Sequence, residues 1–91
     1  MSKLQDLYSS FDEFFSSFFR GNEVEFFYRG EHFCIIPLYD DRKNVTGVCF
    51  GKANDETGTI CMSKSELYNS KIGDTFFGNV LQEIEIVWNN F

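Results

Sequence analysis

Two apolar-rich runs meet at a short polar turn in Glu23-Val24-Glu25-Phe26-Phe27-Tyr28-Arg29-Gly30-Glu31-His32-Phe33-Cys34-Ile35-Ile36-Pro37-Leu38. Successive side chains of a strand point to opposite sides. Val24, Phe26 and Tyr28 therefore share one face, and Glu23, Glu25 and Phe27 share the other. Arg29-Gly30 supplies a tight turn, and residues 31–38 read as the return strand of a hairpin. Pro37 has no N–H to give a central ladder, so this strand is expected to end there or to run along an edge. Such a hairpin commits the chain to an antiparallel sheet.

Upstream of the hairpin, Leu4, Leu7, Phe11, Phe14, Phe15, Phe18 and Phe19 recur at helical spacing and predict a helix over residues 3–19. Gly21 is a suitable stop for it. Downstream, the polar stretch 40–44 is a turn, residues 45–52 a third strand, residues 53–58 another turn and residues 59–62 a short fourth strand. Gly47 and Gly51 are expected to mark a bulge, or close packing of a strand against the opening helix. Ser63-Lys64-Ser65-Glu66 has the form of a capping box and predicts a short helix to about residue 70. After a break at Ile72-Gly73-Asp74, residues 75–82 read as a second short helix, weakened by Gly78. The last strand sets Ile84, Ile86 and Trp88 against Glu83, Glu85 and Val87. The expected fold class is α+β: a Phe-rich N-terminal helix, an antiparallel sheet of four to five strands, and two short helices before the last strand, in one domain spanning residues 1–91.

The hairpin, together with Ser65-Glu66-Leu67-Tyr68-Asn69-Ser70-Lys71-Ile72-Gly73-Asp74 and Leu81-Gln82-Glu83-Ile84-Glu85-Ile86-Val87-Trp88, resembles a group of small acidic α+β proteins of unassigned function from low-GC Gram-positive bacteria. The resemblance covers roughly residues 23–89, and the Phe-rich opening helix departs from the group's pattern. Proteins of this build occur beside toxins or on mobile elements, so the resemblance implies, by association, an immunity-protein-like or inhibitor role.

The 91 residues carry 14 acidic and 8 basic side chains, a net charge of −6. Phosphate neutralisation needs Lys and Arg, so this balance disfavours direct binding to nucleic acid or to an anionic membrane. It permits docking on a basic protein, and equally it is what keeps a small protein soluble. The N-terminus never reaches the apolar core of a signal peptide, no run approaches 18 apolar residues, and the three cysteines form no close pair. The expectation is a cytoplasmic protein with reduced thiols.

Catalytic and cofactor chemistry finds little to stand on. His32 and Cys34 are two apart on one strand and so share a face, but no elbow motif accompanies them. Cys34, Cys49, Cys61 and His32 lack the paired spacing of a zinc site, and the plainer reading of the cysteines is as small apolar residues. Asp40-Asp41 and Asp55-Glu56 do not match a calcium loop. No catalytic residue, metal or cofactor is expected.

Two Glu-x-Glu strands carry the more specific expectation. If both lie in one sheet with their apolar faces on the helices, Glu23, Glu25, Glu83 and Glu85 line the other face with Phe27 and Val87 among them. A non-enzymatic protein that inhibits or neutralises a basic partner, a toxin or a nucleic-acid-binding enzyme, is then expected. Glu23, Glu25, Glu83, Glu85, Asp40 and Asp41 would steer association, and Phe27, Tyr39 and Tyr68 would anchor it. One alternative is a phage-type inhibitor that mimics DNA against a host nucleic-acid-binding defence enzyme. The other is a structural homo-oligomer or homodimer joined through the excess aromatic area of Phe11, Phe14, Phe15, Phe18 and Phe19.

Overall fold

The computed structural model describes residues 2–54 and 58–90, so the Asp55-Glu56 pair lies outside the described residues. The class is α+β, with a five-stranded antiparallel sheet and helices packed on one face. Strands β1 (Glu23–Tyr28), β2 (Glu31–Tyr39), β3 (Val45–Lys52) and β4 (Thr59–Cys61) form a meander. The last strand, β7 (Glu85–Asn90), returns beside β1, which gives the order β4-β3-β2-β1-β7.

The hairpin is built as the sequence predicts. Val24 faces Ile35, and the register closes at Tyr28–Glu31 around Arg29 (φ 51°) and Gly30 (φ 80°), both left-handed as a tight two-residue hairpin turn requires. Pro37, however, lies inside β2, opposite Val48, and β2 runs on to Tyr39 in the middle of the sheet. The ladder resolves the conflict: β1 pairs with β2 only as far as Ile35, so at Pro37 the strand has a neighbour on one side alone.

The opening helix is not continuous. Leu4–Leu7 forms α1 and Phe11–Phe18 forms α2, with Ser9 and Ser10 between them. Ser10 caps α2 by accepting from the Glu13 N–H, while the Glu13 carboxylate accepts from the Ser9 N–H and hydroxyl. Those local bonds outcompete the helical ladder at two adjacent serines. The stop at Gly21 holds: the Gly21 N–H donates to Phe18 O and the Asn22 N–H to Ser17 O, with Gly21 at φ 91°.

Ser63 and Glu66 open α3 (Lys64–Tyr68), although the Glu66 carboxylate takes the Met62 N–H rather than that of Ser63. The second short helix expected over 75–82 is absent. Lys71–Ile72 (β5) and Thr75–Phe76 (β6) form a small hairpin through Gly73 (φ 62°), Phe77–Asn79 makes a single 3-10 turn, and residues 81–83 form a further turn. Thr75-Phe76-Phe77 favours extended backbone, and Gly78 is held by contact instead: a Cβ there would lie 2.2 Å from the Tyr68 ring. Gly47 sits beside a bulge between Leu38 and Tyr39, but its close contact is with Cys61 and Met62 next to β4, not with a helix.

The core is the inner sheet face under the helices. Val24, Phe26, Tyr28, Phe33, Ile35, Val48, Phe50, Ile84 and Ile86 meet Leu4, Tyr8, Phe14, Phe15, Phe18, Leu67 and Phe77. Phe77 touches Phe14 above and Phe26 and Phe50 below, with ring centroids 5.2–6.3 Å apart. One buried polar group ties the helices to β1: the Asn22 amide donates to Tyr8 Oη (2.7 Å) and Ser17 Oγ (2.9 Å).

Phe14, Phe15 and Phe18 are thus buried by the chain's own sheet, which withdraws them from self-association. Phe11 is half-covered by Tyr68 and Phe77, and Phe19 alone of the five is exposed. Phe18→Ala should cost about 3–5 kcal/mol in chemical denaturation, and Phe19→Ala about 1–2 kcal/mol. Gly30→Ala, which meets nothing sterically but keeps the left-handed φ, should cost about 1–2 kcal/mol in the same assay.

Candidate functional site

Cross-strand partners share a face, so the register specifies the outer surface of the sheet. Glu25 and Phe27 on β1 lie level with Cys34 and His32 on β2, and Glu23 shares their face one strand repeat further along β1. Cys34, Ile36 and Leu38 lie level with Gly51, Cys49 and Gly47 on β3, and Cys49 with Ile60 on β4. On the far side, Glu85 of β7 stands beside Phe27. No helix covers this surface among the described residues; Ile36 is 40% exposed and Ile60 62%.

The expected row of four carboxylates is only partly assembled. Glu23, Glu25 and Glu85 reach the outer face. Glu83 does not, because β7 begins at Glu85 and Glu83 lies in the preceding turn, where its carboxylate is 3.9 Å from Arg29. A bulge between Glu25 and Phe26 shifts the β7 register, so that the backbone of Trp88 pairs with Glu25 and that of Ile86 with Phe26.

Much of the acidic charge is already partnered. Glu85 lies 3.5 Å from Lys3 Nζ. Glu25 Oε1 lies 2.9 Å from His32 Nε2 without hydrogen-bond alignment, and the His32 ring stacks on Phe27 at 4.9 Å. Glu23 has no ion pair among the described residues. Glu23 and Glu25 are one strand repeat apart, about 6.6–6.8 Å, and Phe27 ends the row after two carboxylates.

The other sequence candidates scatter. Tyr39 is exposed at the end of β2, paired with Val45 of β3, and its hydroxyl reaches toward Gly21. Asp40 serves its own turn: its carboxylate accepts from the N–H groups of Asn44 and Arg42, which hold its pKa below the usual carboxylate range. Asp41 is exposed in the same turn. Tyr68 belongs to the opposite layer, where it packs on Phe11 and Gly78 beside a cavity of about 320 Å³ between α2 and α3. It cannot act with Glu23 on one surface.

The apolar half of the outer face, Ile36, Leu38, Cys49, Ile60 and Met62, is what sequence reasoning missed. A signal was present: residues 33–38 are an unbroken apolar run, the pattern of a strand that is apolar on both faces.

His32 and Cys34 do share a face, but the imidazole is turned to Glu25. Burial pushes the Cys34 thiol up, and Cys49 and the Glu25 and Glu23 carboxylates add to it. Burial also raises the Cys61 thiol. Among the described residues no group of three His, Cys, Asp or Glu side chains is placed to hold a metal ion, and no helix is long and apolar enough to cross a membrane. No protein-family model matches the chain, nor does any curated protein or solved structure.

A raised thiol pKa leaves less thiolate near neutrality. Cys34 should therefore alkylate more slowly than free cysteine at about pH 8, with the difference closing as pH rises. Peptide-resolved mass spectrometry of iodoacetamide labelling checks this; labelling at the free-cysteine rate would contradict it.

Proposed function

We propose that this chain is a non-enzymatic binding protein whose outer sheet face docks on a basic surface of another protein and inhibits or neutralises it, as an immunity protein or antitoxin does. The observation that carries the reading is the composition of that face. Exposed Ile36 on β2 lies beside the strand that carries the Glu23 and Glu25 carboxylates, and exposed Ile60 on β4 extends the apolar surface away from them, on a chain of net charge −6. Apolar contacts supply the buried area of such an interface, and carboxylates beside them raise the rate of encounter with a basic partner and select its orientation. A DNA-mimicking inhibitor would need a longer row of charges at phosphate spacing than Glu23 and Glu25 provide.

The test is capture from the lysate of the native host at low and high salt, with the wild-type chain and with a Glu23→Lys, Glu25→Lys double variant as bait. A basic protein retained at low salt should associate with the double variant roughly tenfold more slowly, and with a flatter salt dependence. Equal association by the two baits would remove carboxylate steering from the account.

A further inference from the structure

On the outer face, every β3 position that points away from the helices is small: Gly47, Cys49 and Gly51. The neighbouring strands stand higher. Ile36 and Leu38 rise from β2 on one side, and Ile60 rises from β4 on the other. The two ridges are two strand spacings apart, about 9.5 Å, and enclose a trough along β3. An α-helix is about 10–12 Å across with its side chains, so one helix rides along the two ridges with its apolar stripe against Ile36, Leu38 and Ile60. Met62 overlies the Gly47 end; a flexible thioether there can shift to meet an incoming side chain.

The charge around the trough selects the kind of helix. On β1, the strand next to β2, Glu25 stands opposite Cys34, one strand repeat from Ile36, and Glu23 shares Glu25's face. A helix seated in the trough therefore turns one of its polar flanks to two carboxylates, and Lys or Arg there meets them. A second copy of this chain is a poor occupant, since each copy carries −6 and faces brought together would oppose Glu23 and Glu25 to their own images. We infer that the β2–β3–β4 trough is the seat for a basic amphipathic helix of the partner protein. This inference rests on the docking reading above and adds the form of the partner's contacting element.

The probe is a synthetic Leu/Lys peptide of amphipathic helical pattern. A peptide of the same composition, with two central prolines that break the helix, is its control. The helical peptide should bind and gain helicity by circular dichroism, and the proline peptide should not bind. Ile36→Thr with Ile60→Thr, which keeps β-branched residues in both strands, should weaken binding roughly tenfold or more while preserving the thermal midpoint. Phe76→Ser, outside the trough, should leave binding unchanged. Charge reversal at Glu23 and Glu25 should weaken it at low salt. Binding of the proline peptide at equal strength, or no binding of the helical one, would overturn the inference. Loss on charge reversal alone, with Ile36 and Ile60 indifferent, would overturn the trough but leave acidic docking standing. Indifference to both pairs would remove both readings. A dimer of the protein alone that dissociates on the Ile36→Thr, Ile60→Thr change would name a second copy as the occupant and overturn the inference.

Discussion

The fold depends on one crossing. After β4, at one edge of the sheet, the chain must reach β7 at the opposite edge, and it does so over the inner face. Phe77 lies in the middle of that path, fully buried, between the Phe14 ring of α2 and the Phe26 and Phe50 rings of the sheet. Edge-on and tilted ring contacts of this kind add specificity of position to the burial of apolar area. The crossing segment is short of regular structure because Phe77 must be delivered to that point: the β5–β6 hairpin and the single 3-10 turn bring it there, and Gly78 lets the Tyr68 ring close over the backbone. A small domain has few large apolar side chains to cover its sheet, so a ring that joins both layers contributes more than its own area.

Covering one face so thoroughly leaves the other face open. Among the described residues the helices, the small hairpin and the 3-10 turn lie on the inner side, and most of the Phe rings are buried there. The outer side is left with short and medium side chains over β3 and with carboxylates over β1. A two-layer antiparallel sheet ordinarily turns a polar face to water. Here the polar character is confined to the β1–β7 half, while Ile36, Leu38, Cys49 and Ile60 make the other half apolar. That asymmetry, rather than the total negative charge, distinguishes this surface.

Local pairing also redistributes the charge that composition reports. Lys3 and Arg29 draw in Glu85 and Glu83, Lys52 meets Glu31, Lys64 meets Asp12, and the Glu25 carboxylate lies against the His32 ring. Exposed pairs of this sort contribute little to stability. Their effect is on the field: they leave Glu23 as the least compensated carboxylate of the outer face, next to the apolar ridge.

The sequence by itself determined the α+β class, the β1–β2 hairpin with its Arg29-Gly30 turn, the cap at Ser63 and the stop at Gly21. Each of these is written in side chains that act within a few residues of themselves. Alternation sorted Glu23, Glu25 and Phe27 onto one face for the same reason. The break at Ser9 and Ser10 is also local, made by their bonds to Glu13, but packing settles that residues 75–76 extend before residues 77–79 turn and that Phe14, Phe15 and Phe18 serve this chain's own core. Those outcomes depend on what the segment packs against: a helix over residues 75–82 is locally plausible until Phe77 has a fixed place between two layers. The position of Glu83 and the β7 bulge are likewise set by where β7 meets β1, and the trough over β3 exists only because the neighbouring strands carry Ile36, Leu38 and Ile60 at matching register, a relation between distant segments that no local pattern contains.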